Sequence, residues 1–229
     1  MHKPRLKVGI IDGRKAYEFP KSTKVLVDIF RSTTTIPYIF LGGATRVYPT
    51  DNIRNAREFH AKYPDSILVG ERWGIRIRGF ELNNSPYDIS KADLKGKTVV
   101  FTSTNGTKVL QKIRDSGKVI LGSFVNVSSV VSELESEDTV DIVVSNRPDG
   151  PADEDNYFAE YLRDLLLGGS PEYSVVSEKV RKSRGARRMR LMGYGKDLEY
   201  CLRRDACSVV PVYLAPYIIA GETDSRQSR

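Results

Sequence analysis

The stretch KVLVDIFRSTTT brings Asp28, Arg31 and the hydroxyls Ser32, Thr33, Thr34 and Thr35 to the end of an apolar run. A helix opening there presents unpaired N–H groups and a partial positive charge that attract anions. The hydroxyls add donors, and the Arg31 fork suits phosphate, carboxylate or sulfonate. Asp28 repels such an anion unless a cation lies between them, which suggests Mg²⁺ bridging carboxylate and phosphate oxygens. A plainer role also fits, in which one Ser or Thr simply caps the helix.

Three further clusters have comparable chemistry. Glu71 follows the apolar run ILV, inside a Gly-, Asn- and Pro-rich stretch reaching Asn84, Ser85 and Pro86. Such a long loop without helical period is often functional. A surface pairing of Glu71 with Arg72 or Arg76 is the bland alternative. Thr102–Thr107 (TSTNGT), with Thr104, Asn105, Gly106 and Thr107, reads as a second anion cradle, though not with the spacing of a nucleotide P-loop. Asp153, Glu154 and Asp155 would be favoured in any helix's first turn. Here they also follow a strand, so with Asp28 and Glu71 they suit an oxygen-rich Mg²⁺ site.

Several phosphate-cleaving chemistries lack their residues. Cys201 and Cys207 are the only cysteines, and neither starts C-x5-R or a zinc pattern. His2 and His60 are the only histidines, and Asp28 is followed by Ile29-Phe30 rather than by D-x-D. Metal-assisted hydrolysis remains.

These groups need strands to carry them. Val25–Val27, Thr98–Phe101 and Asp141–Val144 are each an apolar run followed by a polar loop and an amphipathic helix. Pro37 is expected in the first turn of the helix after Asp28, with Gly42-Gly43 ending it. Further expectations are helices at 52–62 and about 196–204, and strands at 67–69, 119–121 and 208–214. This alternation predicts an α/β fold, a largely parallel or mixed sheet flanked by helices, with ligands at the carboxyl ends of its strands. No linker marks a boundary. A division into two intimately packed lobes would fall near residue 125 (1–125 and 126–220), with 221–229 a disordered tail.

The 229 residues, 40% of them hydrophobic, suit an ordinary globular protein. No apolar run approaches a membrane span and no signal peptide opens the chain, so it is expected in the cytoplasm. A net charge of +7 favours anionic partners without choosing among them.

The motifs D-x-x-R-[AS]-T-T-T-I (Asp28–Ile36), G-E-x-x-G with G-F-x-L-x-N-S-P (Gly70–Pro86), and T-x-T-N-G-T (Thr102–Thr107) resemble those of the 2-phosphosulfolactate phosphatases. The likeness continues through G-S-x-x-N (Gly122–Asn126), Glu154-Asp155, K-D-L and VVPV, in order along nearly the whole chain. The resemblance implies an unusual α/β fold and a Mg²⁺-dependent phosphatase. Its substrate would be a small phosphorylated 2-hydroxy acid, 2-phosphosulfolactate in coenzyme M biosynthesis. It makes Asp28, Glu71 and Asp155 catalytic or metal candidates, with Glu154 beside them. Arg31, Ser32, Thr33, Thr34, Asn84, Ser85, Thr104, Asn105, Gly106 and Thr107 become anion-site candidates. Where the family commonly has C-A-G, this chain has Ser145-Asn146-Arg147, so Arg147 is an added cation that bears on the organic part of the substrate.

Two other functions compete. Lys179–Arg190 carries seven Lys and Arg and no acid, as a nucleic-acid-binding segment would, but without interleaved aromatics. A phosphoacid-binding module without turnover would share every anion-site residue. A homodimer is the default assembly.

Overall fold

The computed structural model describes residues 6–221, so all of the expected tail but Gly221, and His2, lie outside the described residues. Among the described residues ten strands run in chain order: β1 (Lys7–Asp12), β2 (Thr23–Val27), β3 (Arg46–Pro49), β4 (Ile67–Arg72), β5 (Ile75–Arg76), β6 (Thr98–Thr102), β7 (Val119–Leu121), β8 (Thr139–Val144), β9 (Pro211–Leu214) and β10 (Tyr217–Ala220). The helices are α1 (Ser32–Leu41), α2 (Ile53–Lys62), α3 (Pro86–Ile89), α4 (Gly106–Ile113), α5 (Val127–Glu133), α6 (Asp153–Leu166), α7 (Tyr173–Lys182), α8 (Arg184–Leu191) and α9 (Gly195–Cys201). No helix among the described residues is long and apolar enough to cross a membrane.

The strands form one mixed sheet in the order β1-β8-β2-β7-β9-β10-β3-β6-β4-β5. Two parallel sets lie within it, β1-β8-β2-β7 and β3-β6-β4. The antiparallel hairpin β9–β10 joins them, β9 pairing with β7 and β10 with β3. A division near residue 125 would cut between β7 and β8, both of which hydrogen-bond to β2.

Strand alternation sorts the core into layers. Val25 and Val27 of β2, with Val140, Ile142 and Val144 of β8, pack under the helices that follow β8, against Phe158, Leu162, Ala186 and Leu198. Leu26 and Val143 point the other way, into a second core with Val99 and Phe101 of β6 and Val109 and Leu110 of α4. Val100 of β6 faces a third cluster with Ala56 of α2 and Leu68. Both faces of each parallel set are thus buried, which is why these strands read as continuous apolar runs.

Helix α1 departs from expectation. It starts at Ser32, and Pro37 is its sixth residue rather than part of its first turn. A proline there removes the N–H that would bond the Thr33 carbonyl. The Ser123 hydroxyl, on the loop after β7, replaces it and donates to Thr33 O at 3.0 Å. The helix can therefore begin at Ser32 and still carry Pro37 in its second turn.

The basic segment is likewise more than a charged run. It folds into α7 and α8, divided at Ser183, whose hydroxyl accepts from Ala186 N at 3.1 Å to cap α8. Val180, Gly185, Ala186 and Met189 are buried, and most of the arginines point outward.

Candidate active site

Asp28 is the first residue beyond β2 and is only 4% exposed. Its Oδ2 accepts from Ser32 Oγ at 2.8 Å and from Gly106 N at 2.9 Å. Both bonds fall on one oxygen, and the residue lines a cleft with Arg31, Glu71, Asn84, Asn105 and Arg147. Strands β2 and β6 are separated in the sheet by β7, β9, β10 and β3, yet the turns beyond them meet here. A Cβ at position 106 would lie 2.7 Å from Asp28 Oδ2, so the approach requires glycine. The cleft contains about 650 Å³, open space at its mouth included, a small-molecule scale.

The loop read as a second anion cradle holds the protein's own carboxylates. Gly106 N serves Asp28, while Thr104 N donates to Glu71 Oε1 at 2.6 Å. Glu71 Oε2 accepts from Thr104 Oγ1 at 3.0 Å and Gly74 N at 2.5 Å. Thr107 ties its helix back to the end of β6, its Oγ1 donating to Ser103 O at 2.9 Å and accepting from Ser103 N at 3.1 Å. On the first loop, Thr33 Oγ1 accepts from Asp28 N at 3.1 Å, and Thr34 Oγ1 donates to Ile29 O at 3.0 Å. Those hydroxyls fasten the turn around Asp28 and do not line the cleft.

Behind this wall sit Glu154 and Asp155, both buried. Asp155 Oδ1 accepts from Ile29 N at 2.8 Å, fixing the backbone just after Asp28. Glu154 Oε1 pairs with Arg147, and its Oε2 has no hydrogen-bond partner. Asp153, half-buried, faces Arg184 at 3.8 Å. Ser145 is fully buried, its hydroxyl unpartnered.

Arg31 makes a buried ion pair, its Nη1 2.6 Å from Asp197 Oδ2. Its Nη2 donates to Gly74 O at 3.0 Å, and the guanidinium stacks 4.3 Å from the Tyr194 ring. Ser85 donates to the other Asp197 oxygen at 2.6 Å and so belongs to this support rather than to the lining. Asp197 and Tyr194 are functional neighbours that the motif reading did not assign. The K-D-L signature contained Asp197, but only the fold shows which arginine it meets.

Burial raises the Asp28 carboxyl above its ordinary range, with Glu71 adding repulsion and the Ser32 and Gly106 bonds opposing it. Burial, reinforced by Asp28 and Glu154, pushes Asp155 well above its ordinary value. Burial likewise raises Glu154, with Arg147 pulling the other way. Raised carboxyl pKa values mean the folded state binds more protons than the unfolded one. Their contribution to stability is therefore complete below the ordinary values, 3.8 for Asp and 4.5 for Glu, and is lost as pH rises through the raised ones. We expect metal-free protein to lose urea stability across that window, and Asp155→Asn to flatten the slope. An identical slope in the variant would contradict the assignment.

Carboxylates held beside arginines at the carboxyl ends of parallel strands define an α/β enzyme that handles anionic esters. Among known families, the one described as 2-phosphosulpholactate phosphatase matches residues 10–216. The chain belongs to that family. It is 46% identical over 213 residues to a probable 2-phosphosulfolactate phosphatase of Thermoplasma acidophilum, covering 93% of this chain and 94% of the relative. A protein of Thermoplasma volcanium with the same name is 38% identical over 212 residues, covering 93% and 98%. Another so named, from Caldicellulosiruptor saccharolyticus, is 32% identical over 207 residues, covering 80% and 86%.

Proposed function

We propose that this protein hydrolyses the phosphate monoester of a small 2-hydroxy acid, 2-phosphosulfolactate, to sulfolactate and phosphate. The carrying observation is Asp28: a nearly buried carboxylate in a cleft lined by Arg31, Arg147 and Arg188 as well as by Glu71 and Asp149. Water replaces the ester oxygen on phosphorus, the bond from phosphorus to that oxygen breaks, and the departing alkoxide takes a proton. Asp28 offers Oδ1 to this reaction, since Oδ2 is held by Ser32 and Gly106. Arg31 and Arg147 line the same cleft and oppose the charge that gathers on the phosphoryl oxygens.

The donor set is compatible with Mg²⁺. The side-chain oxygens Asn84 Oδ1 and Asn105 Oδ1 are buried without donors, and both residues line the cleft with Asp28. Among the described residues, no three His, Cys, Asp or Glu converge into a ready cage. Mg²⁺ does not need one, because it commonly takes one or two carboxylates and completes its shell with water and phosphate. Asp28, Asn84 and Asn105 would hold it, with Glu71 on the same wall and Glu154 and Asp155 behind. Bound there, Mg²⁺ supplies neutralisation of the phosphate charge.

The test measures phosphate released from 2-phosphosulfolactate, phospholactate and phosphoglycolate, each with Mg²⁺ and with a chelator. Turnover fastest on the sulfonate and abolished by the chelator is expected. Absence of turnover on all three would overturn the proposal.

A further inference from the structure

The basic segment places one cation, Arg188, in the cleft, beside Gly185 and Met189. Three arginines line the walls, Arg31, Arg147 and Arg188. The first two are committed to buried carboxylates, Arg31 to Asp197 and Arg147 to Glu154. Each of these guanidiniums is thereby held in place by a carboxylate of the protein and faces the cleft with the edge that the pairing leaves free. Arg188, exposed on α8, has no carboxylate within 4.0 Å among the described residues. Its recorded polar contact is Nη2 to Trp73 O, long at 3.4 Å.

Its position is fixed by packing. Gly185, one turn earlier on α8, lies so close to Glu154 that a Cβ there would stand 2.5 Å from the carboxylate oxygens. Met189, the next residue, is buried against the core. Helix α8 is therefore pressed onto the acidic wall, and Arg188 projects from it where Trp73, Met192 and Tyr194 form an outer rim. Deep in the cleft are Asp28 and the paired arginines; at the mouth is an unpaired guanidinium beside aromatic and thioether surface.

The geometry points to Arg188 as the specificity-determining residue that binds the acidic group of the substrate remote from the phosphate. This rests on the phosphatase reading above, under which a phosphorylated hydroxy acid carries at least one further carboxylate or sulfonate. Either group presents two or more acceptor oxygens to the guanidinium fork. A neutral alcohol's phosphate ester offers Arg188 nothing.

The experiment compares kcat/KM on 2-phosphosulfolactate with that on isopropyl phosphate, which lacks a second acid, for the wild type, Arg188→Gln and Arg188→Lys. In Arg188→Gln we expect the preference for the acidic substrate to fall by about 10–100-fold, chiefly through KM, the scale of one charge-assisted contact. Arg188→Lys should recover part of it. Equal losses on both esters, or an unaltered preference, would overturn the assignment. Calorimetric titration with sulfolactate, which has no phosphate, reads the same contact without turnover, and Arg188→Gln should bind it about 10–100-fold more weakly. Failure of the wild type to hydrolyse either ester would overturn the phosphatase reading, while the titration would still decide Arg188.

Discussion

Asp28→Asn is expected to lose phosphatase activity by about 10²–10⁴-fold, the scale of a removed catalytic carboxylate, while remaining at least as resistant to urea as the wild type. The two halves of this result have one cause. The carboxylate is buried, and burial raises its pKa against the Ser32 and Gly106 hydrogen bonds. Holding a charge there opposes folding, so a neutral amide of the same shape relieves the fold while removing the reactive oxygen. Its carbonyl oxygen still accepts from Gly106 N and Ser32 Oγ. Phosphate-release kinetics and urea unfolding on one preparation separate the effects. Activity within about tenfold of wild type would remove Asp28 from the chemistry.

Arg31→Ala should behave in the opposite way, destabilising the fold by about 3–5 kcal/mol because it strands a buried charge. Arg31 and Asp197 have side chains only 4% and 2% exposed. Without Arg31, Asp197 keeps Ser85 and Tyr87 N on Oδ1 but has lost the donor to Oδ2. The Gly74 carbonyl and the Tyr194 ring lose their partner together. Asp197→Asn in the Arg31→Ala background should restore part of the loss, since the stranded group is then neutral. Urea unfolding of both variants decides it. A loss below about 1 kcal/mol would mean the pair behaves like an exposed one.

The legible parts of the sequence were those where one local pattern matched one burial environment. β2, β6 and β8 stood out because their apolar runs are buried on both faces, and Asp28 stood out because it ends such a run. β1 was not legible: KVGIID is an edge strand that stays mostly half-buried. β3, with Arg46 and Pro49 in four residues, carries almost no strand signal. Helices α7 and α8 were masked by charge, since few positions of each are buried. Within the site, the residue types in the TSTNGT loop were readable but their partners were not. Gly106 lies 78 residues from Asp28 in sequence, and Asp197 lies 166 from Arg31. Such pairings depend on how the sheet joins its two parallel sets, which no local pattern encodes.

The join has a consequence for the order in which the molecule is made. Every residue lining the cleft precedes position 195. The two strands that connect the parallel sets, β9 and β10, span Pro211–Ala220. A nascent chain thus presents all of its cleft-lining side chains while β7 and β3 each still lack the strand that pairs with their second edge. Among the described residues the seam comes last, and its two strands close a sheet whose parallel sets also share a core through Leu26 and Phe101.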